Sequence, residues 1–179
     1  MHRNGLMSTM TIQTLEDTYK VYKDTHDRNP KFFRGYSIVP YIPEIMQLIR
    51  TSNIKNVIDY GCGKAEAWEH HNLKEIFKLD EIILFDPGVE KYAKKPKNQV
   101  DLVICIDVME HVPEHLVDDV MDEICDYSKK AIFFGISTRT STKILTDGSN
   151  AHPTVKPENW WRDKFDKYRD HLIISRFSS

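Results

Sequence analysis

Along the chain, segments in which the apolar residues are continuous alternate with segments in which they occur at helical spacing. Short continuous apolar runs, typical of buried parallel strands, cover about 55–60, 81–85, 100–106, 131–136 and 171–175. Apolar residues at helical spacing lie before and between these runs, at 12–25, 43–49, 65–77, 113–127 and from Trp160 onwards. Strands that alternate with helices predict an α/β three-layer sandwich with a mostly parallel sheet of about five to six strands.

The length of 179 residues predicts a single domain over 12–179. Residues 1–11 have no apolar signal core and are expected to form a flexible tail. The helical segments of 12–50 are expected to cover one face of the sheet and one mouth of the site. The polar stretch 137–156 is longer than most connections, so it is interpreted as a lid over the substrate.

Composition narrows the class of protein. Apolar residues make up 40% and charged residues 29%, and the net charge of −2 gives no general attraction to nucleic acid or anionic membranes. The three cysteines show no paired spacing, which favours a reduced, cytoplasmic protein. No apolar stretch approaches the roughly 20 residues of a membrane span.

A turn of small residues follows the first apolar run. Gly61 and Gly63 have no Cβ, so their backbone can adopt positive φ and a ligand can approach their N–H groups. At the carboxyl end of a first strand, such a turn indicates a nucleotide-like ligand. Glu66 stands where a dinucleotide fingerprint needs a glycine, so a dinucleotide is disfavoured.

Three motifs, of which this turn is the first, follow one another along the chain. Asp59-Tyr60-Gly61-Cys62-Gly63 is followed by Asp86 at the end of the second strand, and then by the run from Asp101 to His111 with Asp107 and Glu110. This order resembles the class I S-adenosylmethionine (SAM)-dependent methyltransferases, which have a Rossmann-like fold, over about 55–136. The resemblance implies SAM as cofactor and these cofactor-binding residues: Asp59, Gly61, Cys62, Gly63, Asp86, Pro87, Asp107 and Val108.

Two of these carboxylates have an alternative, structural interpretation. Asp59 can hold the ammonium group of a methionine moiety, or it can cap the N–H groups of its own loop. Asp86 can accept both ribose hydroxyls, or it can form the turn before Pro87 and Gly88.

The chain departs from the family after Asp86. Only the 14 residues from Pro87 to Val100 are available before the next central strand, so the family's third strand and its acidic adenine contact are expected to be missing or replaced by a short segment. The protein is therefore predicted to be a trimmed member of the family. An edge strand exposed in this way suggests a homodimer.

The acidic run after the central strand offers a second kind of chemistry. Asp107, Glu110, His111 and the lid residue His152 are candidate ligands for Mg²⁺ or Mn²⁺, because two carboxylates and an imidazole suit such ions. A similar run binds a metal in some O-methyltransferases. Without a metal, His111 or His152 is a candidate general base, and Glu110 belongs to the same candidate catalytic group. The structural alternative is that Glu110 and His111 only make hydrogen bonds.

The lid supplies candidate acceptor contacts, namely Arg139, Lys143, Asn150, His152 and Lys156. Trp160 and Trp161 are interpreted as core residues beneath it. These features predict methyl transfer to an oxygen or nitrogen of a small or carbohydrate-like acceptor. The alternatives are a binding module with a degenerate pocket and a metal-dependent RNA 2′-O-methyltransferase, the latter disfavoured by the near-neutral charge.

Overall fold

The computed structural model of the protein describes residues 14–179. Its sheet has five strands in the order β2-β1-β3-β4-β5, and every neighbouring pair is parallel. The strands are β1 Asn56–Tyr60, β2 Glu81–Phe85, β3 Val100–Ile106, β4 Ser128–Ser137 and β5 Leu172–Ser178. This all-parallel sheet with helices confirms the predicted Rossmann-like α/β fold. The predicted tail at 1–11 lies outside the described residues.

In the described part of the chain, six α-helices flank the sheet: α1 Leu15–Arg28, α2 Ile42–Thr51, α3 Glu66–His70, α4 Leu73–Phe77, α5 Val117–Tyr127 and α6 Glu158–Phe165. The single helix predicted over 65–77 is wrong, because Asn72 adopts a left-handed conformation that separates α3 from α4. The helix predicted from Pro113 begins as a 3₁₀ turn at Glu114–Leu116 and becomes α-helical at Val117.

The two sheet faces carry separate apolar layers. One layer joins α5 and α6 to the sheet, and Leu15 of α1 packs against it. The other joins α2, α3 and α4 to the opposite face, where Ile45 and Ile49 of α2 are buried. The prediction that both N-terminal helices cover the same face is therefore wrong. The chain between α1 and α2 passes the carboxyl edge of the sheet and delivers the helices to different layers.

The connection between β2 and β3 is as short as predicted. Between residues 87 and 99 the chain forms one 3₁₀ turn, Glu90–Tyr92, and no strand. As a result β2 is an edge strand of the sheet. A homodimer through such an edge stays a prediction. Within residues 14–179, no helix is long and apolar enough to cross a membrane.

Candidate active site

A cavity of about 530 Å³ opens at the carboxyl ends of the central strands. Its volume is within the range of about 300–1,000 Å³ usual for small-molecule sites. All eight residues predicted to bind the cofactor line it, and so do His111 and His152. The structure therefore brings together positions that lie up to 93 residues apart in the chain, from Asp59 to His152.

The glycine turn after β1 is held by a segment from the N-terminal region. Gly63 has φ +57°, and a Cβ at this position would lie 2.3 Å from the carbonyl oxygen of Phe33. The backbone N–H groups of Lys64 and Glu66 donate to the carbonyls of Phe33 and Arg34, each at 3.0 Å. Glycine is required here both by the positive φ and by the close approach of this second backbone.

Asp86 connects the glycine turn to the turn after β2. Its carboxylate accepts hydrogen bonds from the N–H of Gly63 and the N–H of Gly88, both at 2.8 Å. Burial raises the pKa of Asp86, and these two N–H donors oppose that shift. Asp86 therefore stabilises the turn at Pro87 and Gly88, which was the structural alternative for this residue. A carboxylate oxygen accepts more than one hydrogen bond, so the side chain that lines the cavity retains acceptor capacity for ribose hydroxyls.

Asp59 does not cap the N–H groups of its own loop within the described chain. Its carboxylate accepts a hydrogen bond from the indole N–H of Trp68 at 2.6 Å, and the residue is 7% exposed. Burial raises the pKa of Asp59 to about 7, and the Trp68 hydrogen bond only partly offsets this. A cation that entered the cavity beside Asp59 would favour its ionised form.

Asp107 lies apart from the other candidate metal ligands. The residue has φ +53°, and its carboxylate accepts a hydrogen bond from the Ser37 hydroxyl at 2.6 Å. Asp107, Glu110 and His111 do not share one face of a helical turn, because the left-handed Asp107 redirects the chain before the 3₁₀ turn Met109–His111. Asp107 lines the cavity near the residues predicted to bind the cofactor.

Glu110 is fully buried beneath the cavity. One carboxylate oxygen, Oε1, accepts from the backbone N–H of Ser137 at 2.7 Å. The other, Oε2, has no hydrogen-bond partner among the described residues. Burial, and to a smaller extent the charge of Asp107, raises the pKa of Glu110 to about 8. At neutral pH the side chain is mostly protonated unless a cation binds it.

His111 and His152 face each other with their rings 4.6 Å apart. The Tyr22 hydroxyl donates to the carbonyl of Ala151 at 2.8 Å, so its oxygen accepts from Nδ1–H of His111 at 2.9 Å. Nδ1–H of His152 donates to the carbonyl of Arg139 at 2.7 Å. When the rings are neutral, these hydrogen bonds hold each of them in the tautomer whose Nε2 carries a free lone pair. Burial first, and then His152 and Lys143, lower the pKa of His111 to about 3.

Potential ligand atoms of Glu110, His111 and His152 lie within 4.8 Å of one another.

Two predicted acceptor contacts in the lid do not reach the cavity. Asn150 bonds the backbone of Ser141 and His152, and Lys156 pairs with Glu114. By contrast, Arg139 and Lys143 line the cavity. Trp161 is fully buried in the core layer of α5 and α6, and Trp160 packs against that layer, as predicted for this pair.

Helix α1 contributes cavity residues that the sequence interpretation did not include. They are Thr18, Tyr19, Tyr22 and His26. Their spacing of three to four residues places them on one helix face. The spacing predicts the helix but does not indicate that this face lines the cavity. No pattern in the chain relates Tyr22 to His111, because 89 residues separate them.

Two comparisons with known proteins returned matches. The chain matches the family described as "Methyltransferase domain" over residues 27–175. One similar solved structure is described as "DhpI-SAH complex structure"; it is 16% identical, the match covers 75% of this chain and 76% of that chain, and the TM-score is 0.43. No curated protein sequence matches the chain.

The chain belongs to the methyltransferase domain family. Together with its parallel Rossmann-like sheet, this makes it a class I SAM-dependent methyltransferase, and SAM is its cofactor.

Proposed function

We propose that the protein transfers the methyl group of SAM to an oxygen or nitrogen of a small, polar, carbohydrate-like acceptor. The observation that carries this proposal is the pair His111 and His152, which line the cavity that also contains the glycine turn and Asp86, and whose Nδ1 atoms are both held by hydrogen bonds. Methyl transfer from a sulfonium is a displacement in which the main work of the protein is to position the two reactants.

The part of the cavity next to these histidines is rich in hydroxyl groups and cations. It includes Ser137, Thr140, Ser141 and Thr142, together with Arg139 and Lys143. Side chains of this kind hydrogen-bond hydroxyl and anionic groups of an acceptor. A cavity of about 530 Å³ also favours a small acceptor over a macromolecular one.

His152 is the proposed general base. Its Nε2 accepts the proton of the acceptor hydroxyl or amine while the acceptor atom forms its bond to the methyl carbon and the carbon–sulfur bond breaks. The carbonyl of Arg139 holds Nδ1–H and stabilises the imidazolium that results. His111 is a weaker base because its pKa is about 3, and it is proposed to orient the acceptor.

A divalent cation is a second proposal for the same cluster. The donor set fits, since Oε2 of Glu110 is buried without a partner in the described chain, and each histidine has its Nδ1–H held by an oxygen, as ligating histidines usually do. Two imidazoles and one carboxylate suit Mn²⁺ or Zn²⁺ better than Mg²⁺. A bound cation would lower the pKa of an acceptor hydroxyl.

Methyl transfer is tested with isotope-labelled SAM and a panel of sugars, phenols and amines. We expect label in a hydroxyl or amine acceptor, and His152→Ala should lower the transfer at least a hundredfold. His171→Gln, remote from the cavity, is the matched control and should leave transfer unchanged. Label found only in RNA added to the panel would replace this proposal with the RNA alternative.

The cation is tested by calorimetry with MnCl₂ and ZnCl₂ alone. We expect binding that Glu110→Gln weakens, and that tightens between pH 7 and 9 because Glu110 must lose its proton. Absence of binding at millimolar Mn²⁺ and Zn²⁺ would leave His152 as the base without a metal.

A further inference from the structure

Helix α1 packs beside the short connection after β2, where Lys23 forms an ion pair with Glu90. Leu15 packs against the apolar layer of α5 and α6. The Tyr19 hydroxyl lies near Glu123 of α5 and Lys95 of the connection, both of which influence its pKa. Two turns further along, His26 packs on Gly88, where an added Cβ would lie 2.9 Å from Cδ2 of the ring. The helix therefore runs along the cavity beside the Asp86 turn.

The cavity wall next to Tyr19 is mostly apolar. It is formed by Val108 and Val112 after β3, by Val120 of α5, and by Thr18 and Tyr19 of α1. The methionine and ribose ends of SAM are assigned to the glycine turn and to Asp86, so this wall remains for the purine. Apolar and aromatic side chains suit the faces of a purine ring.

Buried polar atoms at the same place suit the edge of a purine. The hydroxyls of Tyr19 and Tyr60 are buried and lie close to each other, yet neither has a hydrogen-bond partner of normal geometry among residues 14–179. Tyr60 is 3% exposed and also lines the cavity. A buried hydroxyl without a partner is costly, and a ligand nitrogen or amino group would satisfy it.

We propose that α1 replaces the family's missing third strand as the purine-binding wall, with Tyr19 as the residue that contacts the adenine ring. The inference rests on the proposed SAM site. It assigns to the N-terminal helix a specificity role that the resemblance places elsewhere in the chain. Binding of the cofactor and the position of α1 are thereby coupled.

The test compares two ligands by calorimetry. S-adenosylhomocysteine, the product that SAM becomes after methyl transfer, contains the adenine, the ribose and the amino-acid part. The second ligand, 5′-methylthioadenosine, lacks the amino-acid part. Tyr19→Leu keeps apolar volume in the core but removes the ring and hydroxyl, and we expect it to weaken both ligands about tenfold. Tyr19→Phe should lose less, because it retains the ring. Lys20→Ala, an exposed position on the same helix, is the control and should change neither affinity.

The outcomes separate the inference from the function on which it rests. If the wild-type protein binds neither ligand, the proposed SAM site fails. If wild type binds both and folded Tyr19→Leu binds them equally well, the site stands and the role of α1 is overturned. If Tyr19→Leu unfolds, NMR of the wild-type protein with bound S-adenosylhomocysteine tests the same contact. The proposal requires nuclear Overhauser effects between the adenine H2 or H8 protons and the Tyr19 ring, and their absence would overturn it.

Discussion

Tyr22 is the residue on which the orientation of the histidine pair depends. Its hydroxyl donates to the carbonyl of Ala151 in the lid and accepts from Nδ1–H of His111, so one side chain of α1 fixes both. Burial raises the pKa of this hydroxyl well above its usual value, so the phenol stays protonated and keeps both contacts. Tyr22 is therefore a positioning residue.

Replacing Tyr22 with Phe should release His111 from its single tautomer. The Nδ1–H group then has no acceptor, and we expect the ring nitrogens to show a mixture of both tautomers in ¹⁵N NMR. If the cluster binds a cation, the affinity should fall about ten- to a hundredfold, the usual effect of losing an outer hydrogen bond. Tyr168→Phe removes a remote hydroxyl that donates to Asp122 and is the matched control. A His111 spectrum that does not change would contradict the assigned role.

Sequence motifs placed the glycine turn and Asp86 at the cavity, whereas they did not predict which residues contact the histidine pair. Gly61, Gly63 and Asp86 follow strands directly, and the carboxyl ends of parallel strands meet at one edge, so local pattern is sufficient to place them. His152 was predicted to meet His111, and the structure brings the two together. Tyr22 could not be predicted, because its role depends on how a separate helix crosses the cavity.

At the scale of elements, the strands were more predictable than the helices. A buried parallel strand is a continuous apolar run, and β2 and β3 occur at the predicted residues, 81–85 and 100–106. The break between α3 and α4 depends on a left-handed Asn72, which apolar spacing does not reveal. The placement of α1 and α2 on opposite faces is also a tertiary property, because both helices show similar apolar spacing.

Two glycine substitutions test the contact between the glycine turn and residues 33–35. Gly63→Ala places a Cβ 2.3 Å from the Phe33 carbonyl, whereas Gly148→Ala, also at positive φ, meets nothing within 4 Å. We expect Gly148→Ala to cost only about 1 kcal/mol of stability. Gly63→Ala should cost more and should also abolish S-adenosylhomocysteine binding in calorimetry. Equal effects of the two substitutions would contradict the proposed coupling of turn and segment.

The whole molecule carries buried ionisable groups whose pKa values shift in opposite senses. In the folded state the pKa of Asp59 is raised from 3.8 to about 7 and that of Glu110 from 4.5 to about 8, both mainly by burial. Burial lowers the pKa of His26 from 6.5 to about 4 and that of His111 from 6.5 to about 3. Between about pH 4.5 and 6.5 the two acids bind protons only when folded and the two histidines only when unfolded, so these four groups leave the free energy of unfolding nearly independent of pH.

Above pH 6.5 this balance ends. The histidines are neutral in both states, while folded Asp59 and Glu110 still bind protons that the unfolded chain has lost, so the free energy of unfolding must fall as pH rises. We expect a loss of about 2 kcal/mol between pH 6.5 and 8.0, measured by urea unfolding without ligand. Glu110→Gln should remove most of this slope. If Asp59 holds the ammonium group as the resemblance implies, S-adenosylhomocysteine should reduce the part due to Asp59, because the ammonium favours the ionised carboxylate. A stability that rises over this pH range would show that the two carboxyls are ionised in the free protein.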